Sequence, residues 1–274
     1  MNTLLLAQKE LRDARRNRWL WLYTLIFVLL ASALAWLGLS ALGIYGVAGF
    51  GRTGASLINL ILLIVPLMGL TLGALSVAGE RERGTLLYLL AQPISPTEVL
   101  LGKFIGLAMA LIAAVSAGFG LSGLLISWQG GLVQGDVYLA LWGLTVLLAL
   151  LSLAFGFLIS ALARKGATAM GMALFVWLGL VFLSDLGLMG TALVLKLSVG
   201  QLLGLALLNP LQGFKFLAVL SVQGDLEILG PAGLYALRTF GEWLVPFLAL
   251  LLVGWTALAL ALSAWVFARR GALE

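Results

Sequence analysis

Cysteine and histidine are both absent from the 274 residues. Without cysteine there is no disulfide framework, thiolate metal site or cysteine nucleophile. Without histidine there is no imidazole ligand and no histidine acid or base. Charge is scarce as well. Asp, Glu, Lys and Arg make up 10% of the chain, against about 25% in an ordinary soluble domain. So few charges cannot clothe a soluble molecule of 29.0 kDa. The chain is instead 62% hydrophobic, with a mean hydropathy of +1.14. This composition excludes a soluble globule and a disordered chain, and leaves a polytopic helical membrane protein. The net charge of +5 then reflects topology, and no nucleic-acid partner is expected. No cleavable signal peptide is expected either, because the apolar run after the basic residues 1–18 is long enough to span.

Six uncharged apolar runs are long enough to cross about 30 Å of hydrocarbon. They cover 19–42, 55–79, 104–127, 137–163, 167–184 and 243–268. None alternates with period two, so a β-barrel is excluded and the fold is expected to be all-α. Twelve of the sixteen Lys and Arg residues fall on one side: Lys9, Arg12, Arg15, Arg16, Arg18, Arg81, Arg83, Lys103, Arg164, Lys165, Arg269 and Arg270. Arg52, Lys196, Lys215 and Arg238 fall on the other. The positive-inside rule places both termini in the cytoplasm. Trp19, Trp21 and Tyr23 inside, and Trp128 and Trp243 outside, fit interfacial belts or lipid-facing filler equally well.

Residues 186–208 are apolar, but Lys196 sits in the middle. A central Lys costs about 2.5–3.5 kcal/mol on insertion scales, and a seventh span would put Arg269 and Arg270 outside. Six spans are therefore expected, with 186–242 as an external excursion within a single domain, 1–274. Residues 2–18, with Leu4, Leu5 and Leu11 among basic side chains, read either as an amphipathic helix in the inner interface or as a plain basic flank.

Ion-coupled carriers keep ionisable residues at mid-membrane. Here the nearest is Asp185, at a span end, and the spans hold only sparse polar groups such as Ser56, Asn59, Thr71, Ser116 and Ser152. An autonomous ion-coupled transporter is not expected. Gly118-Phe-Gly120-Leu-Ser-Gly123 satisfies the dinucleotide pattern but lies inside a span, with no strand before it. Gly69-xxx-Gly73 and Gly102-xxx-Gly106 are small-xxx-small pairs, which chance also produces among 34 glycines. The Gly102-Lys103 pair is followed by Phe104, so no P-loop is present. Met68, Met109, Met170, Met172 and Met189 read as gap-fillers or as a soft-metal path. Such a path normally recruits Cys or His, both missing here.

The most informative segment is the cytoplasmic loop 80–103. Glu80-Arg81-Glu82-Arg83 is an alternating charge cluster at a span end, and Gly84 breaks the helix. Thr85 can cap a short helix over 86–92 with an apolar face of Leu86, Leu89 and Leu90. Pro93 stops it, Thr97 can cap the next helix, and Lys103 marks where the third span begins. A short helix rooted by charges at a span end is shaped to dock into a partner.

Glu-x-Glu-x-Gly-Thr-Leu, then Pro-Ile-Ser and Leu-Leu-Gly-Lys, resembles the cytoplasmic loop of type-2 ABC transporter permeases. The six spans and basic N-terminal segment are similar to that family over the whole chain. The resemblance implies a homodimer in the lipid bilayer, each copy paired with a separate cytoplasmic ABC ATPase. ATP and Mg would reside in that ATPase, with no cofactor and no catalysis in this chain. Glu80, Arg81, Glu82, Arg83, Gly84, Thr85, Leu86, Leu89, Leu90 and Pro93 would form the coupling element. Glu80, Glu82 and Arg83 would be its polar anchors, and Leu86, Leu89 and Leu90 its docked face. Leu87 departs from the family, where many members carry an acid.

In the excursion, Asn209-Pro210 is a turn signal, followed by Phe214, Lys215 and Phe216, and then by a Gly/Pro bend at Gly230 and Pro231. The mixture reads as a partner-docking platform or as a membrane-hugging cap. Asn-Pro-Leu-Gln-Gly-Phe-Lys with Leu-Gly-Pro-Ala-Gly resembles the permeases of ABC systems that mature the copper centres of nitrous oxide reductase. That implies a NosF-like ATPase, a NosD-like periplasmic copper-system protein and the inner membrane of a denitrifying bacterium. Asn209, Pro210, Phe214, Lys215, Phe216, Gly230 and Pro231 would be the periplasmic docking set. The chain would transmit force without carrying metal. Export of a lipid, sulfur species or other hydrophobic compound through the dimer seam is the alternative, and a purely structural anchor is a further one.

Overall fold

Apolar runs with no internal charge leave the backbone no partner in lipid but itself, so the chain folds into helices. The computed structural model describes residues 2–45, 48–90, 94–128, 135–183, 197–224, 226 and 230–270, and contains no strand among them. The order is α1 (Asn2–Ala14), α2 (Arg18–Tyr45), α3 (Ala48–Glu82), α4 (Thr85–Leu90), α5 (Pro96–Trp128), α6 (Gly135–Leu162) and α7 (Gly166–Leu178). A π turn (Gly179–Leu183) prolongs α7. Then come α8 (Val199–Leu208), α9 (Pro210–Gln223), α10 (Pro231–Phe240), a 3-10 turn (Gly241–Trp243) and α11 (Leu244–Arg270).

Five helical segments are long and apolar enough to cross a membrane, or six if α8 and α9, bent by 109°, form one broken span. The expected runs 19–42, 55–79, 104–127, 137–163 and 243–268 fall on α2, α3, α5, α6 and α11. The run 167–184 forms a shorter apolar helix, Gly166–Phe182, about 25 Å long at 1.5 Å per residue.

The bundle is built on α3 and α6, which α11, α2 and α7 surround. Glycine brings the central pair together. A Cβ on Gly73 would lie 2.8 Å from the Gly156 Cα, and one on Gly69 would lie 2.8 Å from the Leu153 amide nitrogen. Close backbone approach between small residues lets dispersion hold helices together where lipid removes the hydrophobic drive. Near this crossing Ser160 Oγ accepts from the Val77 and Ala78 amides at 2.9 and 2.8 Å, tying α6 to the last turns of α3. The second glycine pair is occupied as well. A Cβ on Gly102 would meet Leu6, and one on Gly106 would meet Glu10 and Ala7. Residues 2–14 are thus a helix, packed by Leu6, Ala7, Glu10 and Ala14 onto α5, with Leu4 and Leu5 exposed.

Several side chains take other places than expected. Tyr23 is buried in the core, whereas Trp19, Trp21, Trp128 and Trp243 are exposed. Gly118 packs on the Phe27 ring and Gly123 on Tyr138, which accounts for two glycines of the dinucleotide-like match. Met68 is fully buried, while Met109 and Met172 are exposed. Met189 lies outside the described residues.

The described part of the expected excursion is formed by short helices, part exposed and part packed. Its middle, α9, packs against α11, α6 and α3 inside the bundle. Phe214, Phe216, Leu217 and Ala218 belong to the core.

Candidate functional site

Glu80, Arg81 and Glu82 close the last turn of α3, and each is tied to a different neighbour. Lys103, one turn into the apolar stretch of α5, reaches back between α1 and α3. Its Nζ donates to Glu10 Oε1 at 2.6 Å and pairs with Glu80 Oε1 at 2.7 Å. Lys103 is only 1% exposed, so both contacts act in a low dielectric where an unpaired ammonium would be costly. Half-exposed Lys9 sits 3.9 Å from both carboxylates and offsets their excess negative charge. Arg81 Nη1 donates to the Ala163 carbonyl at the end of α6, at 2.6 Å. Glu82 Oε2 accepts the Gly166 amide at 2.9 Å, which sets a carboxylate at the N-terminus of α7 where the helix dipole favours it. A Cβ on Gly166 would lie 2.9 Å from that oxygen.

Beyond this knot the chain turns sharply. Gly84 has φ +71°, a conformation glycine adopts without a Cβ penalty. The short helix begins at Thr85 itself, whose hydroxyl donates to the Glu80 carbonyl at 3.3 Å. Thr85 therefore holds α4 back against α3 instead of capping it. α4 is described from Thr85 to Leu90, and residues 91 and 92 of the expected helix lie outside the described residues. Leu86 is buried in the core, so it anchors α4 and does not face outward; Tyr88 is 79% exposed at the tip. Arg83 is exposed and donates from Nε to the Gly79 carbonyl at 3.0 Å. The Leu89 and Leu90 side chains, and Pro93, lie outside the described residues.

The following helix is capped by Ser95, not Thr97. Glu98 N donates to Ser95 Oγ at 3.2 Å, and Ser95 N donates to Glu98 Oε2 at 2.9 Å. This is a reciprocal capping box. The Ser-x-x-Glu spacing at 95–98 is its sequence signal. Lys103 and Glu10 were the functional candidates that sequence reasoning missed. A polar cleft of about 630 Å³ opens beside them, lined among others by Asp13, Arg16, Asn17, Glu82 and Arg83.

The second expected set is dispersed. Asn209 is a joint: its Oδ1 accepts the Leu211 amide at 2.9 Å, capping α9, and its Nδ2 donates to the Leu180 carbonyl of the π turn at 2.7 Å. Pro210 occupies the first turn of α9, where its missing N–H costs nothing. Phe214 and Phe216 face the core and Lys215 is half-buried. Gly230, at φ +71°, turns the chain into α10, and Pro231 opens that helix. Of this set only Pro231 is exposed; Tyr235 on the same helix, and Leu205 and Leu208 on α8, which packs on α10, are exposed as well.

A helix bundle without a nucleotide-binding motif, carrying a helical knuckle on a charged span end, has the form of a transporter's membrane subunit. Residues 4–272 match the family model described as ABC-2 family transporter protein, and the chain belongs to that family. It is 35% identical over 279 residues to the "Probable ABC transporter permease protein NosY" of Stutzerimonas stutzeri, covering 97% of each chain. It is also 35% identical over 274 residues to the protein of the same description from Pseudomonas aeruginosa, again covering 97% of each. The chain is thus a multi-pass permease subunit of an ABC transporter.

Proposed function

We propose that this permease couples ATP hydrolysis by a separate cytoplasmic ATPase to a change of shape at the opposite end of its bundle, in the maturation of the copper centres of nitrous oxide reductase. The observation that carries the coupling is the knot below α4. Glu80, Arg81 and Glu82 bind α5, α6 and α7 respectively, so a displacement of α4 reaches three other helices through one turn of α3. Gly84 supplies the bend that sets α4 outside the knot. Arg83 and Tyr88 supply the exposed face that meets the ATPase. ATP and Mg belong to that ATPase, and this chain carries no cofactor of its own. A second copy completes the membrane unit, which resides in the bacterial inner membrane.

The copper-maturation reading rests on the NosY-described relatives and on the residue inventory. A chain without Cys or His is ill suited to carry a soft metal, yet suited to moving a partner that does. The face for a NosD-like periplasmic protein is then α10 and α8, with Pro231, Tyr235, Leu205 and Leu208, in place of the buried Phe214 and Phe216.

The test is a tagged purification from native membranes in mild detergent, with co-purifying chains identified by mass spectrometry. A P-loop ATPase together with a periplasmic copper-system protein is the expected result. An ATPase without the periplasmic protein would retain the coupling reading and move the cargo toward exported hydrophobic compounds. Failure to recover any ATPase, even after crosslinking at Thr85, would overturn the coupling reading.

A further inference from the structure

Arg12, Arg15, Arg16 and Arg18 stand together where α1 gives way to α2, and all four are exposed. Among the described residues, none of their guanidinium groups enters an ion pair or a hydrogen bond. The nearby acids face another cation: Lys9 lies 3.9 Å from Glu10 and Glu80 and 4.0 Å from Asp13. The turn that presents the arginines is fixed from within. The Arg16 and Asn17 amides donate to the Asp13 and Ala14 carbonyls at 3.0 Å. Asn17 Oδ1 accepts the Trp19 amide at 2.9 Å, and the Trp21 indole N–H donates to the Arg15 carbonyl at 2.8 Å.

The height of this turn in the bundle can be read from α5. Asn17 shares the polar cleft with Leu107, and Phe27 packs on Gly118, so α2 climbs along α5. Arg18 is then level with Ala108. From there α5 runs on to Trp128 for about 30 Å, one hydrocarbon thickness. The arginines therefore stand at one boundary of the hydrocarbon, at the depth of lipid headgroups. Above Arg18, Leu22, Leu25 and Leu29 follow at helical spacing and are exposed. Unpaired guanidinium groups hold phosphate well, and clusters of four or more basic residues at the end of a span favour anionic lipid.

We propose that this turn binds anionic phospholipid. Arg18 holds the phosphate above an acyl chain laid along Leu22, Leu25 and Leu29, and Arg12, Arg15 and Arg16 supply the surrounding positive field. A free phosphate would leave the leucine stripe unused, so the bilayer is the source. Bound lipid pins the joint between α2 and α1, the helix that carries Glu10 to Lys103. The site requires neither the copper system nor the ATPase.

The test uses the whole permease, purified in detergent and offered dioleoylphosphatidylglycerol or dioleoylphosphatidylcholine, with retained lipid and oligomeric state read by native mass spectrometry. Wild type is expected to prefer the anionic lipid at least about fivefold, the effect of a single arginine near the headgroup. Replacing all four arginines by Gln abolishes the preference, whereas Arg18→Lys keeps it. Arg164→Gln with Lys165→Gln, two exposed cations elsewhere on the same end, also keeps it. Inorganic phosphate does not displace the lipid. Equal retention of both lipids by wild type would reduce the arginines to a basic flank and overturn the proposal, even if the fourfold variant failed to insert. An undiminished preference in the inserted fourfold variant, or displacement by inorganic phosphate, would also overturn it. An equal loss in the Arg164 and Lys165 variant would make the preference a general effect of surface charge, and a dimer that retains no anionic lipid would give the surface to a second copy; either result overturns the site.

Discussion

Lys103 shows how much one side chain can organise at the end of a span. It is buried, and its two short contacts close a bridge from α1 to α3 through α5. Removing the cation alone leaves Glu10 and Glu80 facing each other in a low dielectric, a loss of about 3–5 kcal/mol for a broken buried pair. Lys103→Met is therefore expected to lower the melting temperature in detergent sharply and to free α1 to protease. Replacing all three groups together (Glu10→Leu, Lys103→Met, Glu80→Leu) removes the buried charges and leaves half-exposed Lys9 to Asp13 and solvent. The triple variant is expected to melt near wild type, since apolar replacement of a whole buried ion cluster is often neutral or stabilising. If the bridge transmits motion, this stable variant will still lose ATPase stimulation; normal stimulation would show the cluster to be structural only. None of this was legible in the sequence. Lys103 has the expected position of a positive-inside flank, and its partner Glu10 lies 93 residues away, beyond any local pattern. The Gly102 and Gly106 pair around it was visible, but only the packed α1 distinguishes it from chance.

At the scale of elements, α4 divides what local chemistry decides from what packing decides. Its start follows local chemistry at Gly84, which is why the break and a short helix were readable in advance. Which face it buries depends on α3 and the core, and so was not. Leu86 is inside and Tyr88 is outside. Leu86→Ala should cost about 2–5 kcal/mol, as other buried leucines do, and should reduce stability and coupling together. Tyr88→Ala should leave the melting temperature unchanged while lowering ATPase stimulation, because only the docked surface is altered. Equal stimulation by wild type and Tyr88→Ala would move the contact off this tip. The same reasoning explains α9. Lys196 in the middle of 186–208, and the outside position a seventh span would give Arg269 and Arg270, make the segment read as external. Yet Leu211, Phe214, Phe216, Leu217, Ala218 and Val219 are all buried, so α9 is covered on nearly every side, as a helix held among other helices is.

For the whole molecule, α3 and α6 join the two ends of the bundle by one packed path. α3 ends in the charged turn Glu80 to Glu82 and, about 40 Å away, packs Gly54 against Val222 of α9. α6 meets α3 at Gly156, braces its end through Ser160, and also contacts α9 and α11. The α3–α6 pair is thus the continuous packed path between the proposed ATPase contact and α9. A path of this kind carries coupling only if the two ends favour different arrangements of it. Linkage then imposes a quantitative requirement: if nucleotide state changes the affinity of the outer partner by some factor, partner binding changes nucleotide affinity by the same factor. The ATP affinity of the reconstituted complex, measured by fluorescent nucleotide titration with and without the periplasmic partner, should therefore shift about 5–150-fold, the usual range of allosteric coupling. Gly73→Leu should abolish the shift, because its side chain would have to displace the Gly156 backbone, whereas Gly120→Leu, whose Cβ would meet nothing within 4 Å, should preserve it. An ATP affinity unchanged by the partner in wild type would mean that the outer elements do not sense the ATPase, and that this permease works by passage of a compound instead of by transmitted force.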